Sequence, residues 1–300
     1  ADLKEIFYGY IVVGIIILVL ILIILAKRFL KDGLFKKYNL DFKEIKLILK
    51  ESLPLVFSAV FISIYYHIDQ IMIGVISTKM ELGYYSAAQR IIYGLSMFYM
   101  ITMISFSPKI AYFFKEDIKK LSGILKKMNR VMVAIAVPMG IGGTVLAPEI
   151  INFIFGNEYT RSILAFQILI WSQVIVFVNV CYGNTLIMCD KQKKFLYGVS
   201  FGAIINIVLN FILITKFSLY GASVATVITQ LLVFIYMYLT LSKEVIKIDF
   251  YKYLTKPILA SLIMMIVLLF LKTNFSVLVL ILLGIIFYSF TLFKVLKFKI

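Results

Sequence analysis

The sequence is poor in the residues that build catalytic centres. It has one histidine and two cysteines among 300 residues, and Cys181 and Cys189 lie eight positions apart in one apolar run. That separation along a helix is too long for a disulfide, and no cysteine–histidine cluster indicates a zinc site. Patterns for a phosphate-binding loop, a GxSxG nucleophile or an HExxH zinc site are also missing. We therefore predict no cofactor, no metal and no enzymatic activity.

Charged residues are scarce as well, at 15% of the chain, whereas hydrophobic residues make up 62%. A soluble domain averages roughly 45–50% apolar residues, so a water-soluble fold could not bury this excess. The apolar runs are about 20 residues long and do not alternate with period two, which predicts membrane-spanning helices. The fold class predicted is an all-α integral membrane helix bundle of about nine spans. We place these spans at 6–26, 51–76, 84–108, 131–154, 163–188, 196–215, 221–241, 257–272 and 277–293.

The net charge of +16 does not indicate a nucleic-acid binder, because the basic residues follow the membrane topology. Of the 31 lysines and arginines, 25 lie in the segments 27–50, 109–130, 189–195, 243–256 and 294–300, and the alternate loops hold one each. Positive charge accumulates on the cytoplasmic side of membrane proteins. We therefore predict a multi-pass protein of the cytoplasmic membrane with a cytoplasmic C-terminus, whose basic stretches contact anionic membrane lipids.

The predicted topology is that of the C-terminal part of a longer transporter. The sequence begins with Ala1, and an odd number of spans with an external N-terminus is unusual unless helices precede it. Residues 41–50 have the pattern of an amphipathic helix at the membrane interface. We predict a final helix of a first lobe (1–26), a cytoplasmic amphipathic linker (27–50), a six-helix lobe (51–242) and two additional helices (243–300). A truncated, non-functional gene product is the alternative.

A few polar residues inside the spans are candidates for substrate binding or coupling, because such groups are costly in hydrocarbon. With an outer turn at 77–82, Asp69 and Arg90 lie at similar depth on adjacent helices. We expect them to pair, either as a fixed structural ion pair or as a cavity-facing pair in which Arg90 contacts a phosphate. His67 is a further candidate or a packing residue. Asn206 and Asn210 share one helix face and either line a polar cavity or bond between helices.

Several stretches resemble a known family. The run Glu51-Ser-Leu-Pro-Leu is followed by residues 67–74 (HIDQIMIG) and 82–90 (LGYYSAAQR), and later by 155–159 (FGNEY), 206–210 (NIVLN) and 220–226 (YGASVAT). Together they resemble polysaccharide flippases of the multidrug/oligosaccharidyl-lipid/polysaccharide exporter superfamily, which includes the lipid II flippases. The resemblance implies two six-helix lobes around a central cavity, of which this chain would supply the second. It also implies a polyprenyl-diphosphate-linked oligosaccharide as substrate. Three sources of driving force stay open, namely coupling to Na⁺, coupling to H⁺ and the membrane potential acting on a bound charge.

The expected function is translocation of a lipid-linked oligosaccharide, a precursor of lipopolysaccharide or another cell-surface polysaccharide, across the cytoplasmic membrane by alternating access. Two alternatives remain at this stage. A cation-coupled multidrug exporter would have the same architecture with a different cargo. A membrane-embedded polysaccharide polymerase or glycosyltransferase would need acidic, histidine or arginine residues on a long outer loop, whereas the outer loops predicted here are short.

Overall fold

The structure is a computed structural model that describes residues 3–31 and 42–298. Within these ranges it contains helices and turns but no β-strand. The chain divides into two compact units, Ala1–Ser52 and Leu53–Ile300. The α-helices of the described residues are α1 (Leu3–Lys31), α2 (Phe42–Ile76), α3 (Lys79–Glu116), α4 (Ile118–Val145), α5 (Ala147–Phe155), α6 (Thr160–Met188), α7 (Gln192–Glu244), α8 (Thr255–Leu271) and α9 (Val277–Phe290). The predicted all-α fold is therefore confirmed.

Apolar side chains cover the surface of the second unit, and polar side chains lie inside it. Val75 and Phe270 are 80% and 78% exposed, whereas Asp69 and Asn206 are 2% and 0% exposed. This arrangement is the reverse of a soluble domain and suits a hydrocarbon solvent. Six helices among the described residues are long and apolar enough to cross a membrane, and two further apolar helices are shorter. The chain is a multi-pass membrane protein.

The turn between α2 and α3 is tighter than the sequence suggested. Thr78 caps α3 by accepting a hydrogen bond from the backbone N–H of Glu81 over 3.2 Å. A threonine at this position satisfies a donor that would otherwise have no partner at the helix start. The helix therefore begins at Lys79, and the predicted loop at 77–82 is wrong. Residues 42–50, predicted as a linker helix, are the first turns of α2, and the linker residues 32–41 lie outside the described ranges.

The span predicted at 131–154 consists of two helices rather than one. Helix α4 ends at Val145, and α5 begins at Ala147 with Pro148 in its first turn. A proline ring would clash with the carbonyl four residues earlier if the helix continued, whereas it fits the first turn of a new one. The short α5 ends at Phe155 and is followed by Gly156, whose φ of 86° is accessible to glycine without steric cost.

Helix α7 changes direction at Ser218, where φ is 51° and ψ is −129°. Its first half (192–217) and second half (219–244) account for the two spans predicted there. Ser218 donates a hydrogen bond to Glu81 Oε2 (3.0 Å) and accepts one from Ser77 (2.7 Å). Glu81 is buried and also forms an ion pair with Arg161 at the start of α6. These contacts join α2, α3, α6 and α7 at one end of the bundle, which we call the turn end.

Small residues on one face, Gly198 and Gly202, allow the two halves of α7 to pack closely. A Cβ atom at Gly202 would lie 2.5 Å from Val233 Cγ2, and one at Gly198 would lie 2.5 Å from Met237 Cε. Because real Cβ atoms do not approach so closely, both glycines are required by the packing. On the other side of the bundle, α8 and α9 pack on α4, and the Tyr288 hydroxyl donates to the Ala134 carbonyl over 2.6 Å.

We predict that Gly202→Ala lowers the stability of the folded protein by about 1–3 kcal/mol, because the new methyl group overpacks the contact with Val233. The matched control is Gly94→Ala in α3, where nothing lies within 4 Å of the added methyl group. That control should leave stability unchanged or raise it by up to about 1 kcal/mol, since alanine favours the helix. Thermal unfolding in detergent measures both, and equal effects would contradict the close packing.

Candidate functional site

The carboxylate of Asp69 lies at the centre of a buried polar cluster. Its Oδ2 atom accepts hydrogen bonds from the Tyr85 hydroxyl and the Thr226 hydroxyl, each over 2.7 Å. Its Oδ1 atom accepts from the Asn210 amide over 2.5 Å. Asn210 donates its second amide proton to Asn206 Oδ1 over 3.1 Å. The cluster therefore joins α2, α3 and both halves of α7 through one side chain.

The cluster stabilises negative charge without a basic partner. None of the ion pairs among the described residues includes Asp69, and its contacts are hydroxyl and amide groups. A carboxylate buried in hydrocarbon is costly, and three donors offset only part of that cost. The site is consequently one where a proton or a small cation would be favoured.

Some polar atoms around Asp69 do not use their full hydrogen-bonding capacity within the protein. The Asn210 Oδ1 acceptor is buried and has no hydrogen-bond partner among the described residues. The Asn206 Nδ2 donor is also buried and without a partner there. The Thr226 hydroxyl lies within reach of both Asp69 and the Ala222 carbonyl, at 2.7 and 2.9 Å, although its one proton can serve only one of them. An unsatisfied buried polar atom costs roughly 1–3 kcal/mol. The described atoms thus leave an acceptor-rich site incompletely satisfied.

Arg90 does not pair with Asp69, and the predicted ion pair is wrong. Arg90 is exposed. The side of α3 that contacts Asp69 is the one that carries Tyr85, whose hydroxyl donates to the carboxylate. Five residues along a helix rotate a side chain by roughly 140°, which turns Arg90 away from that side. Because α3 begins at Lys79, Arg90 also lies about 16 Å along the helix from its start, deeper than the predicted turn implied.

His67 and a second polar region lie beside the cluster, within about one helical turn of Asp69 along α2. A cavity of about 580 Å³ opens between α2, α3, α6 and α7, and the exposed His67 contributes to its wall. Four tyrosines line it: Tyr65, Tyr66, Tyr93 and Tyr99. The amide residues Asn179, Asn184 and Gln230 line it as well. Of the five predicted site residues, the structure brings together Asp69, Asn206 and Asn210, while His67 lies at the cavity and Arg90 on an exposed face.

Sequence reasoning missed Tyr85 and Thr226, which complete the cluster. The sequence does contain a signal for Thr226, namely the number of residues between each polar group of the cluster and the nearest turn. Asp69 lies eight residues before Ser77, Asn210 eight residues before Ser218 and Thr226 eight residues after it. Eight helical residues span roughly 12 Å, so all three lie at one depth. Polar residues at equal depth on adjacent helices are candidates for mutual hydrogen bonds.

Comparison with known proteins agrees with this architecture. A family model described as "Polysaccharide biosynthesis protein" matches residues 6–164, which is more than half of the 300 residues. The chain belongs to this polysaccharide biosynthesis family. The match contains α2 and α3 completely, and therefore Asp69, Tyr85 and Arg90.

Two relatives have names that refer to glycan biosynthesis. The "Probable low-salt glycan biosynthesis flippase Agl15" of Haloferax volcanii is 24% identical over 166 residues, which cover 55% of this chain and 35% of that protein. The "Capsular polysaccharide biosynthesis protein CapF" of Staphylococcus aureus is 26% identical over 206 residues, which cover 67% of this chain and 51% of that protein. The chain thus spans about half, or less, of the length of these relatives.

A solved structure shows the same fold. The chain is similar to the structure titled "Lipid II flippase MurJ, inward closed conformation", with a TM-score of 0.69 and 21% sequence identity. The similarity covers 87% of this chain and 57% of that one. The helix arrangement is therefore that of a membrane exporter fold.

We predict that Asp69 is energetically coupled to Tyr85 but not to Arg90. In a double-mutant cycle, Asp69→Asn and Tyr85→Phe should show a coupling of about 0.5–3 kcal/mol, because they share a buried hydrogen bond. The cycle of Asp69→Asn with Arg90→Ala should be additive within about 0.5 kcal/mol. Thermal or denaturant unfolding in detergent provides the free energies. A coupling energy between Asp69 and Arg90 above about 1 kcal/mol would contradict this prediction and support an ion pair between them.

Proposed function

We propose that the protein containing this chain is a flippase that moves a lipid-linked oligosaccharide across the cytoplasmic membrane. The observation that carries the proposal is the match of residues 6–164 to the polysaccharide biosynthesis family. The bundle is consistent with transport, since its connections at the turn end are only a few residues long and offer no room for an extramembrane catalytic domain. Transport of this kind involves no covalent chemistry on the substrate.

The orientation that fits this function places the basic segments in the cytoplasm. Lys191 and Lys194 lie with Glu244 at the end of the bundle opposite the turn end, where the described lysines are concentrated. Positive charge next to a membrane is retained on the cytoplasmic side. The substrate would enter from that side and leave at the turn end, as two lobes rock around a central site.

In this proposal Arg90 contacts the diphosphate of the carrier lipid. It is an exposed arginine within a membrane-spanning helix and forms none of the ion pairs among the described residues. A guanidinium facing lipid tails is unfavourable, so the face that carries Arg90 should border water or another part of the protein. An arginine at such a place binds phosphate through paired hydrogen bonds.

Asp69 is proposed as the coupling site for a monovalent cation, either Na⁺ or a proton. Hard cations prefer oxygen ligands, and the site offers the carboxylate, the Thr226 hydroxyl and the free Asn210 Oδ1 atom. A proton would instead neutralise the buried carboxylate directly. In either case the charge state of Asp69 determines how favourably α2, α3 and α7 pack together, which links cation binding to the conformation of the bundle.

The flippase proposal is tested by complementation. The full-length gene that encodes this chain is expressed in a bacterial strain lacking its own polysaccharide flippase, and surface polysaccharide is measured. Wild type should restore the polymer, and Arg90→Ala should reduce it at least tenfold at equal membrane abundance. The control Lys272→Ala changes a partly exposed cation in the turn after α8, far along the chain from Arg90, and should retain activity. Efflux of cationic dyes without restored polymer would favour the multidrug exporter instead.

Cation coupling is tested on the purified protein. If Na⁺ binds at Asp69, replacing KCl by NaCl at constant ionic strength should raise the unfolding temperature, because a ligand that binds only the folded state stabilises it. At 100 times the Kd the gain is about 2.7 kcal/mol. Asp69→Asn should abolish the difference. If a proton is the coupling ion, the two salts should act alike, and stability should instead depend on pH in wild type more than in Asp69→Asn. Identical responses in both proteins would exclude Asp69.

A further inference from the structure

The cavity between α2, α3, α6 and α7 has a composition that selects a particular chemistry. Its volume of about 580 Å³ lies within the range of roughly 300–1,000 Å³ that holds small organic ligands. Tyrosine rings form much of its wall, at Tyr65, Tyr66 and Tyr93. Such rings offer a flat apolar surface together with a hydroxyl that can donate or accept a hydrogen bond.

Several polar groups at this cavity lack partners within the protein. The Tyr65 hydroxyl and the Asn179 Oδ1 atom are buried and form no hydrogen bond with described residues. Gln230 is 6% exposed, lines the cavity and also forms no hydrogen bond with the described part of the chain. By contrast, the Tyr93 hydroxyl is used internally and donates to the Tyr66 carbonyl over 2.7 Å. Unpaired groups of this kind are unfavourable unless a ligand or water pairs with them.

The described residues that line the cavity carry no carboxylate, lysine or arginine, and this restricts the class of ligand that it can bind. Among these residues, His67 is the one group able to carry positive charge. A phosphate would find no lysine or arginine in the cavity, and a cationic drug would find no free carboxylate, since Asp69 is engaged by Tyr85, Asn210 and Thr226. A lipid chain would leave the tyrosine and amide groups unpaired.

We propose that this cavity binds a neutral sugar unit of the transported oligosaccharide. The apolar face of a pyranose ring can pack on tyrosine, and its hydroxyls both donate and accept, which matches the Tyr65 hydroxyl and the Asn179 and Gln230 amides. This inference rests on the proposed flippase function and assigns the sugar to a site separate from Arg90 and from the Asp69 cluster.

The test measures saccharide binding to the purified full-length protein by saturation-transfer NMR. The probes are three neutral disaccharides (chitobiose, lactose and maltose), with pyrophosphate and the cationic dye rhodamine 6G as comparisons. We expect saturable binding of at least one disaccharide. Tyr65→Phe and Gln230→Leu should each weaken it roughly three- to tenfold, the effect of one lost hydrogen bond. Neither variant removes a hydrogen bond that the described residues make, so both should fold normally.

The matched controls change the same residue types outside the cavity. Tyr197→Phe alters an exposed tyrosine, and Gln167→Leu removes an amide that bonds to the Thr144 carbonyl. Both should bind the disaccharide as wild type does. The proposal is overturned if none of the disaccharides binds, if only the dye or pyrophosphate binds, or if the controls weaken binding as much as the cavity variants.

Complementation with the same variants separates this inference from the proposed function. Restored polymer without saccharide binding would leave the flippase proposal standing and remove the sugar site. Saccharide binding without restored polymer would support the sugar site and count against the flippase proposal. When both hold, Tyr65→Phe and Gln230→Leu should reduce polymer in proportion to their loss of binding, whereas Tyr197→Phe should not.

Discussion

The buried carboxylate of Asp69 is the constraint on which the rest of the bundle depends. An ionised group in hydrocarbon must find donors, and here they come from Tyr85, Asn210 and Thr226 on three other membrane-spanning segments. These donors reach the carboxylate only if the four segments share one depth. Two turns set that depth. Helix α3 begins after Thr78, and α7 is divided at Ser218, so that the donors on both helices lie about as far from their turns as Asp69 lies from the end of α2. Sliding any one segment by a turn would separate it from Asp69 by about 5 Å.

The sequence predicted those features that depend on composition and spacing along one helix. The apolar runs located most of the membrane-spanning helices. Helical spacing grouped Asn206 and Asn210 on one face, and the structure shows them hydrogen-bonded. In each case the information lies within one segment, so no knowledge of neighbouring helices was needed.

The errors concern relations between segments. The ion pair of Asp69 with Arg90 failed because depth alone does not determine which face of α3 meets α2, and a single cap at Thr78 moved the helix start by several residues. The roles of Tyr85 and Thr226 could not be predicted for the same reason. Each lies in an apolar run, and its contact with Asp69 depends on how neighbouring helices pack. Likewise, the division of the span at 131–154 occurs at Pro148, whose ring fits the first turn of a helix and costs a backbone hydrogen bond in a helix interior.

The cluster and the cavity share α2, and this shared element has a mechanical consequence. Tyr65 and Tyr66 face the cavity within one turn of Asp69, and Tyr93 links α3 to α2 by its hydrogen bond to the Tyr66 carbonyl. A cation or proton at Asp69 would weaken the pull of the carboxylate on Tyr85, and Tyr85 and Tyr93 lie two turns apart on the same helix. Any shift of α3 against α2 at the cluster must therefore also alter the cavity wall. In the proposed mechanism, a cation at Asp69 and a ligand in the cavity would each change the binding free energy of the other by the same amount, as thermodynamic linkage requires.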